Sequence, residues 1–153
     1  VWQEQIEFDA RMRLEQSTSL ILLEFTHALT EADAILVSSS TFGSDTGVLR
    51  FHDAGGTIIV IDLVSTTVSF TGTNQAVRRL RMQRGSNEAV WLTEPEHDIT
   101  QWRVEVVRDT GNVLTGLRIS LDAELLNKSG NVYRNATFAA DTTVSLSPHT
   151  TEL

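Results

Sequence analysis

The stretch Glu94-Pro95-Glu96-His97-Asp98 sets three carboxylates and an imidazole side by side, and oxygen-rich loops of this kind suit a hard cation such as Ca²⁺. Such a cation wants about six oxygens or more, and no regular ligand spacing runs through the stretch. Glu94, Glu96, His97 and Asp98 therefore read better as a solvated acidic turn, and no metal or cofactor is expected. Nucleophilic chemistry has less support. His27, His52, His97 and His149 are far apart, there is no cysteine, and no Gly-x-Ser-x-Gly elbow is present, so no nucleophile is set beside a base. A non-enzymatic protein is the expectation. Arg78, Arg79, Arg81 and Arg84 form the one basic cluster. On a strand, Arg79 and Arg81 would project from one face about 7 Å apart, and with Arg84 they could make a strip for DNA. No aromatic residue is interleaved with them, as stacking on nucleic acid would want. Charged residues on an outward strand face, paired with nearby carboxylates, are the better account.

Composition bounds the rest. The chain has 153 residues, with 41% hydrophobic and 21% charged residues, which fits one soluble domain, 1–153, with a real core. A net charge of −8 and a pI near 4.9 argue against a general nucleic-acid binder, because neutralising phosphates needs a basic surface. No run approaches the roughly 18 apolar residues that span a bilayer. Asn127-Lys128-Ser129 and Asn135-Ala136-Thr137 match the glycosylation acceptor pattern, a pattern short enough to arise by chance.

The elements that must position these residues begin with a helix over residues 1–30, a stretch without Gly or Pro. Leu14, Thr18, Ile21, Leu22, Phe25, Ala28 and Leu29 fall on one face, the spacing of a helix packed on a sheet. Val1, Trp2, Phe8, Met12, Leu20 and Leu23 scatter over the other faces. One sheet cannot cover them all, so Trp2, Phe8, Met12, Leu20 and Leu23 are the expected partner interface. The absence of an initiator Met, with a helix already under way at Val1, points to removal of an N-terminal segment. A brief extended segment from Ala34 leads into a Ser/Thr/Gly-rich loop. Val48–His52 and Thr57–Leu63 then flank Asp53-Ala54-Gly55-Gly56 as a hairpin. Val77–Arg84 alternates as a half-buried strand, Gly85-Ser86-Asn87 turns it, and Ala89–Leu92 follows. Ile99–Val107 and Leu117–Leu125 alternate on either side of the Asp109–Asn112 turn. Lys128-Ser129-Gly130-Asn131 turns the chain again, and a last strand runs from about Tyr133 to Leu146, before Pro148. This order, one helix and then a β-rich part over 48–147 with short connections, predicts an α+β fold in which the helix packs on antiparallel sheet.

Four segments carry a family resemblance: ARMRLEQSTSLILLEFTHAL, VRRLRMQRGSNEAVWLTEPEHDITQWRVEVV, LTGLRISLDAELL and YRNATFAADTTVSLS. With them the chain resembles type IV pilin-like proteins, most closely the minor pilins and the minor pseudopilins of type II secretion. Arg79 to Met82, leading through Trp91-Leu92-Thr93 to Ile99 and Trp102, is similar to that family's strand, turn and following strand. Asn135 to Leu146 is similar to its closing strand. The resemblance implies processing by a prepilin peptidase, an apolar half-helix upstream of Val1 that anchors the protein in the inner membrane, and a globular domain outside the cytoplasm, in the cell envelope or in an extracellular filament. It also implies partners, other pilin-like subunits, that cover the spare faces of the helix. The closing disulfide of many relatives is ruled out here by the lack of cysteine. The alternatives are a stand-alone β-rich binding or adhesion module and a competence pilin that takes up DNA.

Overall fold

The first thirty residues hold no helix breaker, and Trp2–Thr30 form a single helix, α1. The computed structural model describes residues 2–70, 72–126 and 136–153. After α1 come β1 (Ala34–Ile35), a short 3₁₀ turn at Val37–Ser39, β2 (Val48–His52), β3 (Ile58–Phe70), β4 (Thr73–Arg84), β5 (Val90–Trp91), β6 (His97–Arg108), β7 (Leu114–Leu125), β8 (Thr137–Ser145) and β9 (Thr151–Glu152). These strands form two sheets. The first has six strands in the order β5-β4-β3-β2-β1-β9, and the second has three in the order β6-β7-β8.

The expected α+β class needs correction. One helix makes up about a fifth of the chain and strands about half, divided between two sheets, so the protein is mostly β with a single N-terminal helix. The physical reason lies in the middle of the chain. Ser65–Phe70 and Thr73–Ala76, rich in Ser, Thr, Asn and Gln, show no clean apolar alternation but are zipped into strand by continuous pairing of β3 with β4, from Ile59 with Arg84 out to Phe70 with Thr73. The strand expected over Ala89–Leu92 shrinks to two residues. The chain then leaves the first sheet, and β6 opens the second.

Both predicted hairpin turns use one device. Asp53 Oδ1 accepts the N–H groups of Gly55 and Thr57 at 3.0 and 2.9 Å, and Asp109 Oδ1 accepts those of Gly111 and Val113, both at 2.9 Å. A short acceptor side chain thus satisfies donors that the turning backbone cannot pair. The expected turn at Lys128–Asn131, the start of the last strand at Tyr133, and Asn127 and Asn135 of the two acceptor motifs lie outside the described residues.

The helix lies against β7 and β8 of the second sheet. Leu14, Thr18, Ile21, Phe25 and Leu29 are all buried, the periodicity expected of a helix with one face on a sheet, while Ala28 and Leu22 are half-buried. They join a continuous core with Leu49 and Phe51 of β2, Ile59 and Ile61 of β3, and Trp102, Leu117, Ile119 and Leu121 of β6 and β7. The loop that enters β2 is also tied to the second sheet. Gly47 N–H donates to Trp102 C=O at 3.1 Å, and Trp102 N–H donates to Asp45 C=O at 3.1 Å.

Candidate interaction surface

From Glu4 to Arg13 no described side chain of α1 is buried, and Ala10 alone among them is half-buried. Further along, Phe8, Met12, Leu20 and Leu23 remain exposed at 61, 38, 61 and 65% of their surface. They do not scatter over all the remaining faces. At about 100° per residue they fall within one arc of about 120°, on the side of the helix turned away from Leu14, Ile21 and Phe25. Gln5, Asp9, Gln16, Ser19 and His27 share that arc, so the outward side of the helix is mixed, with four large apolar side chains standing exposed among polar ones, while the second sheet covers the opposite face. The side chain of Trp2 lies outside the described residues.

The arginine cluster is engaged within the chain. Arg81 sits opposite Asp62 across the β3–β4 ladder and grips it with both arms, Nε at 3.1 Å and Nη2 at 2.8 Å. That hydrogen bond is the main force raising the Arg81 pKa, in line with the strength of forked guanidinium–carboxylate pairs. Arg84 pairs with Asp53 at 3.1 Å. Arg78 donates its backbone N–H to Asp98 Oδ1 at 2.8 Å and its Nη2 to Thr100 C=O at 2.9 Å. Arg79 donates to Thr93 C=O at 2.6 Å and lies 4.4 Å from the ring centre of Trp91, a cation–π contact. Burial lowers its pKa. The aromatic partner missing between the arginines in sequence is supplied by strand pairing, because β5 docks Trp91 opposite Arg81. The possible DNA strip of Arg79, Arg81 and Arg84 therefore has its charges met by carboxylates, a carbonyl and an indole.

The acidic stretch likewise separates into other roles. His97 is buried, and burial lowers its pKa against the opposing pull of Glu94 and Glu96; its Nε2 is 3.9 Å from Glu94 Oε2. Asp98 is turned to Arg78. Among the described residues no three histidine, aspartate or glutamate side chains are grouped to hold a metal ion. The remaining histidines stand on different elements: His27 near Glu31 at 3.8 Å on the helix, His52 at the end of β2, and His149 beyond β8.

Sequence reasoning missed a shallow polar groove of about 340 Å³ on the outer face of the second sheet, lined by Gln101, Arg103, Glu105, Arg118, Asp122 and Asp141 among others. Both of its arginines are already paired. Arg118 forks onto Asp141 at 2.6–3.1 Å, which lowers the Asp141 pKa, and Arg103 reaches Asp45 at 2.7 Å and Glu105 at 3.7 Å. The alternation of polar residues along β6 and β7 was visible, but the register that gathers them was not.

No known protein family, characterised protein or solved structure matches this chain. Among the described residues no helix is long and apolar enough to cross a membrane.

Proposed function

We propose that the chain is a non-enzymatic minor subunit of a type IV pilus or of a type II secretion pseudopilus, and that it assembles with other pilin-like subunits through α1. One observation carries this reading: Phe8, Met12, Leu20 and Leu23 all stand exposed on the side of α1 opposite the face that the core covers. Burying a large apolar side chain contributes about 1.5–3 kcal/mol, so a helix that exposes four of them on one side is built for a second partner. The segments that resemble minor pilins support the same reading. Its localisation would then be the cell envelope, with the full-length form anchored in the inner membrane. The competence reading is less favoured, because the arginines that would meet phosphate already hold partners. A free-standing adhesion module would leave these four exposed side chains without a use.

The test mixes the chain with the pilin-like domains encoded beside it and measures association by light scattering, with the double variant Leu20→Glu, Leu23→Glu in parallel. Association of the native chain, lost in the variant while far-UV circular dichroism and melting stay unchanged, is the expected result. No association of the native chain with any of these domains would overturn the proposal. Duplex DNA at 50 and 200 mM salt serves as the alternative ligand, since phosphate contacts weaken steeply over that range; tight, salt-sensitive DNA binding would favour the competence reading.

A further inference from the structure

Strands β3 and β4 run on together after their neighbours stop. β2 pairs with β3 only from Ile58 to Asp62, and β5 pairs with β4 only at Arg81 and Met82. Leu80 fixes which way the backbone groups point, because its N–H donates to Thr93 Oγ1 at 3.2 Å and its C=O accepts from Leu92 N–H at 2.9 Å. Even-numbered residues of β4 therefore turn away from β3. By the register of the pair, odd-numbered residues of β3 turn away from β4. Ile59 and Ile61 meet β2. Beyond the start of β2, the N–H and C=O groups of Leu63, Ser65, Thr67 and Ser69 have no strand partner among the described residues, and the side chains of Ser65, Thr67 and Ser69 are exposed.

Edge strands are ordinarily guarded by shortness, charge, Pro or bulges. Here β5 and β9 are two residues long, and β6 carries irregularities at Ile99/Gln101 and Val107/Arg108 together with Arg103 and Glu105. The β3 edge has none of these guards. From Leu63 to Val77 the chain contains no charged residue and no Pro, and its pairing with β4 is unbroken.

We propose that this edge of β3 pairs with the same edge of a second copy of the chain, antiparallel about a two-fold axis at Thr67. The axis sets Thr67 opposite Thr67 and Ser65 opposite Ser69, so each outward-bonding pair matches one hydroxyl residue with another, a favourable cross-strand combination. Phe70, the last residue of the strand, falls opposite Val64 and so stops short of Asp62, where β2 begins. Charge selects this edge for self-association. A chain of net charge −8 repels its copies wherever acidic surfaces meet, whereas the one acidic residue on β3 itself, Asp62, is neutralised by Arg81 at 2.8 Å. A closed two-fold contact also ends with two chains instead of propagating.

Because the native chain has no cysteine, Thr67→Cys reports on this contact alone. Directly opposed residues in a hydrogen-bonded antiparallel pair have Cα atoms about 5.5 Å apart, within disulfide reach. Under mild oxidation T67C should give a covalent dimer far faster than T110C in the exposed Asp109–Asn112 turn. The native chain should show concentration-dependent dimer in sedimentation, and Thr67→Lys should weaken that dimer by about tenfold or more, because two lysines would then face each other. The dimer should survive in the Leu20→Glu, Leu23→Glu background. A native chain that stays monomeric at millimolar concentration, equal cross-linking of T67C and T110C, a dimer untouched by T67K, or a dimer lost with the helix substitutions would each overturn the proposal.

Discussion

Phe25 of α1 and Trp102 of β6 meet with ring centroids 5.2 Å apart and planes inclined at 47°, and both side chains are almost wholly buried. Tilted aromatic pairs of this kind add to the burial of their area. This contact, with Leu14, Ile21 and Leu29 around it, fastens the helix to the rest of the core. Phe25→Ala should lower stability by about 3–5 kcal/mol, measured by urea unfolding. A loss below about 1 kcal/mol would mean that the helix is held elsewhere.

The buried imidazole of His97 predicts acid sensitivity. Its pKa in the folded chain lies below the ordinary 6.5, chiefly from burial, so the unfolded chain takes up the proton more readily. Its contribution to stability is then complete above about 6.5 and is lost as pH falls below that value. Glu94 and Glu96, which face it, soften the effect by favouring the charged form. The midpoint of thermal unfolding should fall between about pH 7 and pH 5, and His97→Gln should flatten that part of the profile. Equal slopes for both proteins would remove His97 as the cause.

Arg81 and Asp62 are only partly buried, with side chains 39 and 23% exposed. A double-mutant cycle with Arg81→Ala and Asp62→Ala should therefore give a coupling near or below about 1 kcal/mol despite the forked geometry. The same pairing predicts a gain of function of a simple kind. Asp62→Asn frees the guanidinium, so any weak retention of the chain on heparin should rise in that variant and not in Asp122→Asn, which leaves the arginine strip alone.

Gly116 of β7 is held by a neighbour's backbone. A Cβ added there would sit 2.8 Å from the Val144 carbonyl oxygen, and backbone of a paired strand yields less readily than the end of a side chain. Gly116→Ala should cost about 1–3 kcal/mol as an overpacking substitution, read from melts followed by circular dichroism. At Gly55, where an added Cβ meets only Asp53 Oδ1 at 3.4 Å, the same change should be nearly neutral.

What could be read from the chain depended on whether the signal was local. The buried face of α1 was legible because Leu14, Thr18, Ile21, Phe25 and Leu29 repeat at the pitch of a helix, and the β2–β3 and β6–β7 hairpins were legible from Asp53-Ala54-Gly55-Gly56 and Asp109-Thr110-Gly111-Asn112. Thr66, Thr67, Asn74 and Gln75 carry no such signal; they become strand because each finds a partner across the ladder. The division into two sheets was hidden for the same reason, since nothing local tells β5 and β6 to belong to different ladders. At the candidate surface, the exposure of Phe8, Met12, Leu20 and Leu23 followed from counting faces against one sheet. Their grouping on a single side needed the angular positions to be compared, and the Trp91 partner of Arg79 needed the β4–β5 register.

The short parallel pairing of β9 with β1 bears on the order in which this protein folds and unfolds. Ala34 is set opposite Thr151 and Ile35 opposite Glu152, Thr150 Oγ1 donates to Ala32 C=O at 3.0 Å, and Arg108 clasps Glu152 at 2.5–2.8 Å. Joining residues more than a hundred positions apart costs about 4 kcal/mol of chain entropy before the contact returns anything. Two strand residues are too few to repay that cost at the start, so this closure does not nucleate folding. The β9 latch should therefore form last, so that substitutions at Thr151 or Glu152 speed unfolding and leave the folding rate almost unchanged.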